Sequence, residues 1–161
     1  MTATRTTATS TAAPPVQASV RACPACGAKN RTSADHLADA GRCGRCKAEL
    51  PPVDYPLDVG GDEFAAITRG SRVPVLVDFW ATWCPPCRMA APVVKTVAKD
   101  LAGKLVVLKV DSDQNPALAS RFGVQGIPNF VLLRGEQVIA QRPGFMPAPE
   151  MKRWLAAAGV T

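Results

Sequence analysis

Six cysteines fall into three C-x-x-C pairs, Cys23/Cys26, Cys43/Cys46 and Cys84/Cys87. Two thiols at that spacing can close a disulfide across a helical turn or offer two thiolates to a metal. Their surroundings decide between these uses. Cys23-Pro-Ala-Cys26 and Cys43-Gly-Arg-Cys46 are separated by 16 residues, giving C-x2-C-x16-C-x2-C. Four thiolates on two tight turns make a closed tetrahedral zinc site, and closure implies a structural metal. Two disulfides are the competing reading, weakened by an N-terminus without the apolar core of a secretory signal. Gly27 and Gly44 are expected to supply the permissive backbone of the two knuckles. His36, the single histidine, reads as a surface residue, because the four sulfurs already fill the shell.

The third pair differs. Trp83-Cys84-Pro85-Pro86-Cys87 stands where an apolar run gives way to a helical pattern. With Cys84 at the N-cap, its sulfur meets free N–H groups and the positive end of the helix dipole, which favour thiolate over thiol. Cys87 then lies one turn on, its Cα roughly 5–6 Å away, within reach of a disulfide. The expectation is an exposed, nucleophilic first sulfur and a shielded second one that resolves a mixed disulfide. Half of a zinc site is the alternative, but no Cys or His follows Cys87 to complete it.

Asp78 interrupts the apolar run before Cys84, a costly position for a carboxylate without a partner or a task. Burial raises its pKa and suits it to accept a proton near neutral pH. Lys109, in the next expected strand, is placed to pair with it, and an ion pair that tunes nothing is the plainer reading. Gly126-Ile127-Pro128-Asn129 opens a strand on proline, and local sequence leaves the Ile127–Pro128 bond open to either isomer.

These residues need a scaffold, and from residue 56 the pattern reads β-α-β-α-β-α-β-β-α, an α/β sandwich on a mixed sheet. A short helix is expected over 62–67, with acidic residues in its first turn. Val73 to Trp80 and Leu105 to Val110 suit strands buried on both faces. A long helix runs from Pro85 to about Ala102. Asn115 caps a further helix with Pro116 at its first position, ending at Gly123. Asn129 to Leu133 and Gln137 to Arg142 form a hairpin, and 147–158 the last helix. Upstream, residues 1–21 are almost all Thr, Ala, Ser and Pro, and are expected to be a disordered tail or a targeting segment. Residues 22–50 form a zinc-ribbon module whose only large aliphatics are Leu37 and Leu50, too few to fold without a staple. Residues 51–55 read as a stiff linker, and 56–161 as the α/β domain.

VDFWATWCPPCR, then KVDSDQNPALASRFGVQGIPN and a late Gly144, resemble the thioredoxin family over essentially all of 56–161. The resemblance implies a thioredoxin fold and a protein-disulfide reductase. It implies Cys84 as the attacking cysteine, Cys87 as the resolving one, and Asp78 with Lys109 as the buried pair that manages the Cys87 proton. Pro128 matches the family's cis-proline facing the cysteines, and Ile127 would offer backbone hydrogen bonds to an extended substrate. Trp83, Ile127 and Gly144 would border the apolar docking surface. The same likeness implies disulfide-containing protein substrates and recycling by a flavin-containing, NADPH-dependent thioredoxin reductase, with no organic cofactor in this chain. Three positions depart from the commonest pattern: Pro85 replaces glycine, Arg88 lysine and Asn129 threonine. With the upstream cysteines, residues from about 22 onward resemble the bacterial zinc-containing thioredoxin-2 type, which implies one structural zinc on Cys23, Cys26, Cys43 and Cys46. The competing functions are a disulfide oxidase or isomerase, and a zinc-ribbon adaptor or holdase without catalysis.

Composition narrows the partners. Apolar residues make up 47% and charged residues 20%, ordinary for a globular protein. No run approaches the roughly 18 apolar residues of a membrane helix. The formal charge of +6 divides evenly, +3 up to Tyr55 and +3 beyond. Four zinc-bound thiolates would reduce the first part to a net of about +1. No aromatic residue interleaves with Arg21, Lys29, Arg31, Arg42, Arg45 and Lys47, so a nucleic-acid platform is missing. A cytoplasmic monomer that binds neither nucleic acid nor membrane is expected.

Overall fold

The computed structural model describes residues 17–161. The expected tail therefore lies largely outside the described residues. Its last part does not behave as expected: Gln17–Ala22 form strand β1, antiparallel to β2 (Lys29–Ser33). Arg21 explains the order. Its Nε donates to Thr32 Oγ1 at 2.8 Å, and Nη1 donates to the Asp39 and Pro51 carbonyls at 2.9 and 2.8 Å. A 3-10 turn, Ala34–His36, leads to a second small hairpin of β3 (Gly41–Arg42) and β4 (Glu49–Leu50).

The sandwich is built on β5 (Leu57–Asp58), β6 (Val75–Trp80), β7 (Val106–Asp111), β8 (Asn129–Arg134) and β9 (Gln137–Pro143). Their order is β5-β7-β6-β8-β9, with β5, β7 and β6 parallel and β8 and β9 antiparallel. The helices are α1 (Gly61–Gly70), α2 (Pro85–Asp100), α3 (Pro116–Arg121) and α4 (Ala148–Ala157). The expected mixed sheet and flanking helices are thus present. The opening strand, to which the pattern gave no bounds, is Leu57–Asp58.

Strand alternation sorts the core into two layers. Val75, Val77 and Phe79 pack with Phe64 and Ile67 of α1 and with Phe122. Leu76, Val107, Phe130 and Leu132 pack with Val94 and Val97 of α2 and Met151 and Leu155 of α4. Asp78 and Lys109 share the parity of Leu76 and Val107, so they face the α2 side. That parity turns the carboxylate to the face of the sheet that packs on α2, the helix that carries Cys87.

Two local expectations change. Asn115 is the N-cap of α3, but its side chain makes no capping bond; Nδ2 donates instead to the Asp111 carbonyl at 3.1 Å. Residues 51–55 pack rather than merely span. Val53 is buried in the α1 layer together with Ala34 and Leu37.

Candidate active site and metal centre

The apolar strand β6 ends at Trp80, and the chain turns through Ala81 into α2 with Cys84 as the N-cap. Pro85 and Pro86 fill the first helical positions, where a missing N–H costs nothing. Cys84 Sγ accepts the Cys87 N–H at 3.3 Å. Cys84 and Cys87 are joined by a disulfide with Cα atoms 5.2 Å apart, as the spacing anticipates. Both are buried, Cys84 at 2% and Cys87 at 5% exposure, so the expected exposed first sulfur is absent. The loop before β8 covers it: Ile127 packs on the pair, and its carbonyl oxygen lies 3.6 Å from Cys84 Sγ. Ile127–Pro128 is cis.

Trp83 is 63% exposed, and its Nε1 donates to Asp113 Oδ2 at 2.8 Å. A groove of about 400 Å³ runs past Cys84 between Trp83, Pro86, Ser112, Val124 and Ile127. Gly144 borders Pro128 from β9's exit, its N–H donating to the Pro128 carbonyl at 2.8 Å, with φ of 89°. Asn129, buried below Pro128, accepts from Gln141 Nε2 at 3.1 Å, and the same Nε2 donates to the Phe122 carbonyl at 2.9 Å. This brace and the Asp113 acceptor escaped sequence reasoning. Both depend on residues distant in the chain.

Asp78 is 1% exposed, with no hydrogen-bond partner for Oδ1. Burial pushes its carboxyl up to about 7; Lys109 pulls it down and Asp58 pushes it up. The expected direct pair with Lys109 does not form. The two stand opposite each other in the β6/β7 register, but the lysine ammonium rests 4.4 Å from the Trp80 ring centroid. A cation over an indole face keeps favourable electrostatics without a carboxylate.

The other cysteines meet as expected. Sulfurs of Cys23, Cys26, Cys43 and Cys46 all lie within 4.8 Å of one another, and none is in a disulfide. Cys23–Cys46 and Cys26–Cys43 are 3.6 and 3.7 Å apart. A zinc–sulfur bond of about 2.3 Å requires tetrahedral edges of about 3.8 Å, so the cluster fits zinc. Each knuckle repeats one hydrogen-bond pattern: Gly27 N–H to Cys23 O at 2.8 Å, and Lys47 N–H to Cys43 O at 3.0 Å. The left-handed positions are Gly27 (φ 71°) and Lys47 (φ 64°), so Lys47 takes the role expected of Gly44. Backbone N–H groups of Cys46 and Arg45, with Asn30, hold the Cys43 thiol below its usual range, while burial and the neighbouring sulfurs push Cys26 up to about 12. Asn30 is a supporting residue the sequence did not single out. Its Nδ2 donates to Cys43 Sγ at 3.6 Å, while Oδ1 accepts the Gly44 N–H at 2.9 Å. His36 is exposed and pairs with Asp39 at 2.7 Å, away from the sulfurs.

The family model described as Thioredoxin matches residues 56–157. The chain belongs to the thioredoxin family. A second model, described as Thioredoxin 2, N-terminal, matches residues 22–48 of this thioredoxin, across the four-cysteine cluster. Thioredoxin C-3 of Corynebacterium nephridii is 38% identical over 133 residues, covering 83% of this chain and 90% of the relative. Thioredoxin 1 of Nostoc sp. is 46% identical over 85 residues, covering 53% of this chain and 79% of the relative. A mutant thioredoxin from Halobacterium salinarum NRC-1 superposes with a TM-score of 0.61 at 36% identity, covering 66% of this chain and 92% of its own. This thioredoxin is a thiol-disulfide oxidoreductase and a protein-disulfide reductase of thioredoxin type, carrying a zinc-ribbon segment with four cysteines positioned for a metal. Among the described residues no helix is long and apolar enough to cross a membrane.

Proposed function

We propose that Cys84 and Cys87 carry the disulfide reduction in these roles. In the reduced protein the Cys84 thiolate attacks a substrate disulfide, forming a mixed disulfide and releasing one substrate thiolate. Cys87 loses its proton to Asp78, attacks Cys84 Sγ, closes the protein disulfide and releases the second substrate thiolate. Two electrons pass from the dithiol to the substrate. The supporting observation is the N-cap position of Cys84, whose sulfur accepts the Cys87 N–H and so has a stabilised thiolate. Asp78, held up near neutrality by burial, is matched to a proton transfer at physiological pH. Lys109 biases that carboxylate. Trp83, Ile127, Pro128 and Gly144 form the surface on which an extended substrate segment lies.

One zinc ion on Cys23, Cys26, Cys43 and Cys46 is the proposed metal, and its role when bound is to cross-link the two knuckles. Residues 22–50 are then the ribbon module, 51–55 its connection and 56–161 the reductase domain. An NADPH-dependent thioredoxin reductase regenerates the dithiol, in a monomeric cytoplasmic protein that passes electrons onward to protein disulfides. The decisive experiment is substrate trapping. Cys87→Ser accumulates a mixed disulfide through Cys84, and Cys84→Ser accumulates none. Substrate found on Cys87 in the Cys84→Ser protein reverses the two roles.

A further inference from the structure

Asp58, Lys109 and Asp78 occupy one rung of three adjacent parallel strands. β5 sets Asp58 opposite Lys109, and β6 sets Asp78 opposite the same lysine. Side chains on one rung leave the same face of a sheet. Lys109 therefore stands between two carboxylates, Asp58 exposed and Asp78 buried. Among the described residues it forms an ion pair with neither.

Two cavities meet at this lysine. One, of about 550 Å³, is lined by Asp58, Trp80, Thr82, Lys109 and Asp111 among others. The other, of about 100 Å³, shares Trp80, Thr82 and Lys109 and reaches Cys87 and Arg88. Asp58 and Cys87 thus line two cavities that share Lys109.

We propose that Asp58 is a positioning residue of the disulfide exchange, competing with Asp78 for the charge of Lys109 across the rung. The inference rests on Asp78 being the acceptor of the Cys87 proton. Asp58 touches neither sulfur and acts by charge alone. A second carboxylate on the rung opposes ionisation of Asp78, as the upward push of Asp58 on that group reflects. The other charged groups here are already engaged. Asp111 Oδ1 accepts the Asp113 and Gln114 N–H groups at 2.9 and 3.3 Å, and Arg88 donates to the Thr82 carbonyl at 3.1 Å. From α2 the inward residues are Ala90 and Val94, and β8 sets Phe130 opposite Asp78, none of them charged. Asp58 makes no ion pair among the described residues, so its charge remains available to the lysine.

The test is the pH profile of mixed-disulfide resolution, followed by stopped flow on the full chain at low salt. Two strand spacings separate the backbones of the two aspartates by about 9.5 Å, and removing one charge at about that range moves a neighbour by roughly half a pH unit. Asp58→Asn makes Asp78 easier to ionise, so the midpoint falls by that amount, and Asp58→Glu restores it. The shift shrinks at about 1 M salt, where screening reaches roughly 3 Å. Glu136→Gln, which removes a charge at the β8/β9 turn, leaves the midpoint in place. If Asp78→Asn abolishes the titration while Asp58→Asn leaves the midpoint unmoved or raises it, the inference is overturned. A titration that persists in Asp78→Asn overturns instead the assignment on which it rests.

Discussion

The backbone N–H of Val53 donates to the carbonyl of Leu37 at 2.9 Å, tying the proline-rich segment to the loop between the two cysteine knuckles. Leu37 is fully buried in the same apolar layer as Phe64 and Ile67 of α1. The fit is close: a Cβ on Gly70, at the end of α1, would lie 3.4 Å from the Asp35 backbone nitrogen. The ribbon is joined to the sandwich by packing as well as by chain.

Leu37→Ala should therefore destabilise the reductase domain itself. A fully buried leucine truncated in a packed core costs roughly 2–5 kcal/mol. All three tryptophans, Trp80, Trp83 and Trp154, lie beyond residue 55, so their fluorescence reports that domain and not the ribbon. Denaturant unfolding followed by tryptophan emission should show the loss. An unchanged midpoint would mean that the ribbon docks without sharing the core.

The same packing limits what metal removal can do. Cross-linking by the proposed zinc matters where apolar content is low, at the knuckles, whose cluster is little more than Cys23, Cys43 and Leu50. Chelation should release hydrogen-exchange protection at the Gly27 and Lys47 amides. The Val53 amide, bonded to Leu37 inside the main core, should keep its protection. Loss of protection at all three together would instead make residues 22–55 one metal-dependent folding unit.

What the sequence disclosed follows from the range of the interactions. The C-x-x-C spacings, Asp78 inside an apolar strand and Pro128 at a strand start are local signals: the spacings gave the disulfide and the four-sulfur cluster, and Asp78 is buried in β6 as a carboxylate inside an apolar run must be. Leu37 was legible as an aliphatic residue, but its destination depends on a contact with α1 some thirty residues away. The Asn129–Gln141 brace and the burial of Cys84 beneath Ile127 are likewise products of tertiary proximity. Lys47 shows a different limit. Its left-handed backbone is imposed by the knuckle, and a lysine gives no propensity signal for it. Strand β1 was hidden in a stretch of small polar residues because Arg21, not apolar patterning, fastens it.

Asp78 makes stability itself depend on pH. In the folded protein its carboxyl titrates at about 7, chiefly because burial disfavours the charge, whereas an unfolded aspartate titrates near 3.9, approximately. A raised acid pKa means that the folded state binds more protons than the unfolded one between those two values. Stability from this group is therefore fully present below about pH 4 and is lost as pH rises through about 7. Asp78→Asn removes the titration while keeping the shape. The variant should match the parent in acid and exceed it above neutrality, by an amount approaching about 4 kcal/mol for a shift of this size. Urea unfolding of both oxidised proteins at acidic, neutral and mildly alkaline pH measures the difference directly. Parallel stability curves across that range would mean that Asp78 is charged throughout and compensated by Lys109. The proton would then have to leave Cys87 by another route. A diverging pair of curves, together with slowed resolution of the mixed disulfide in Asp78→Asn, would tie one uncompensated carboxylate to both the stability loss and the proton transfer.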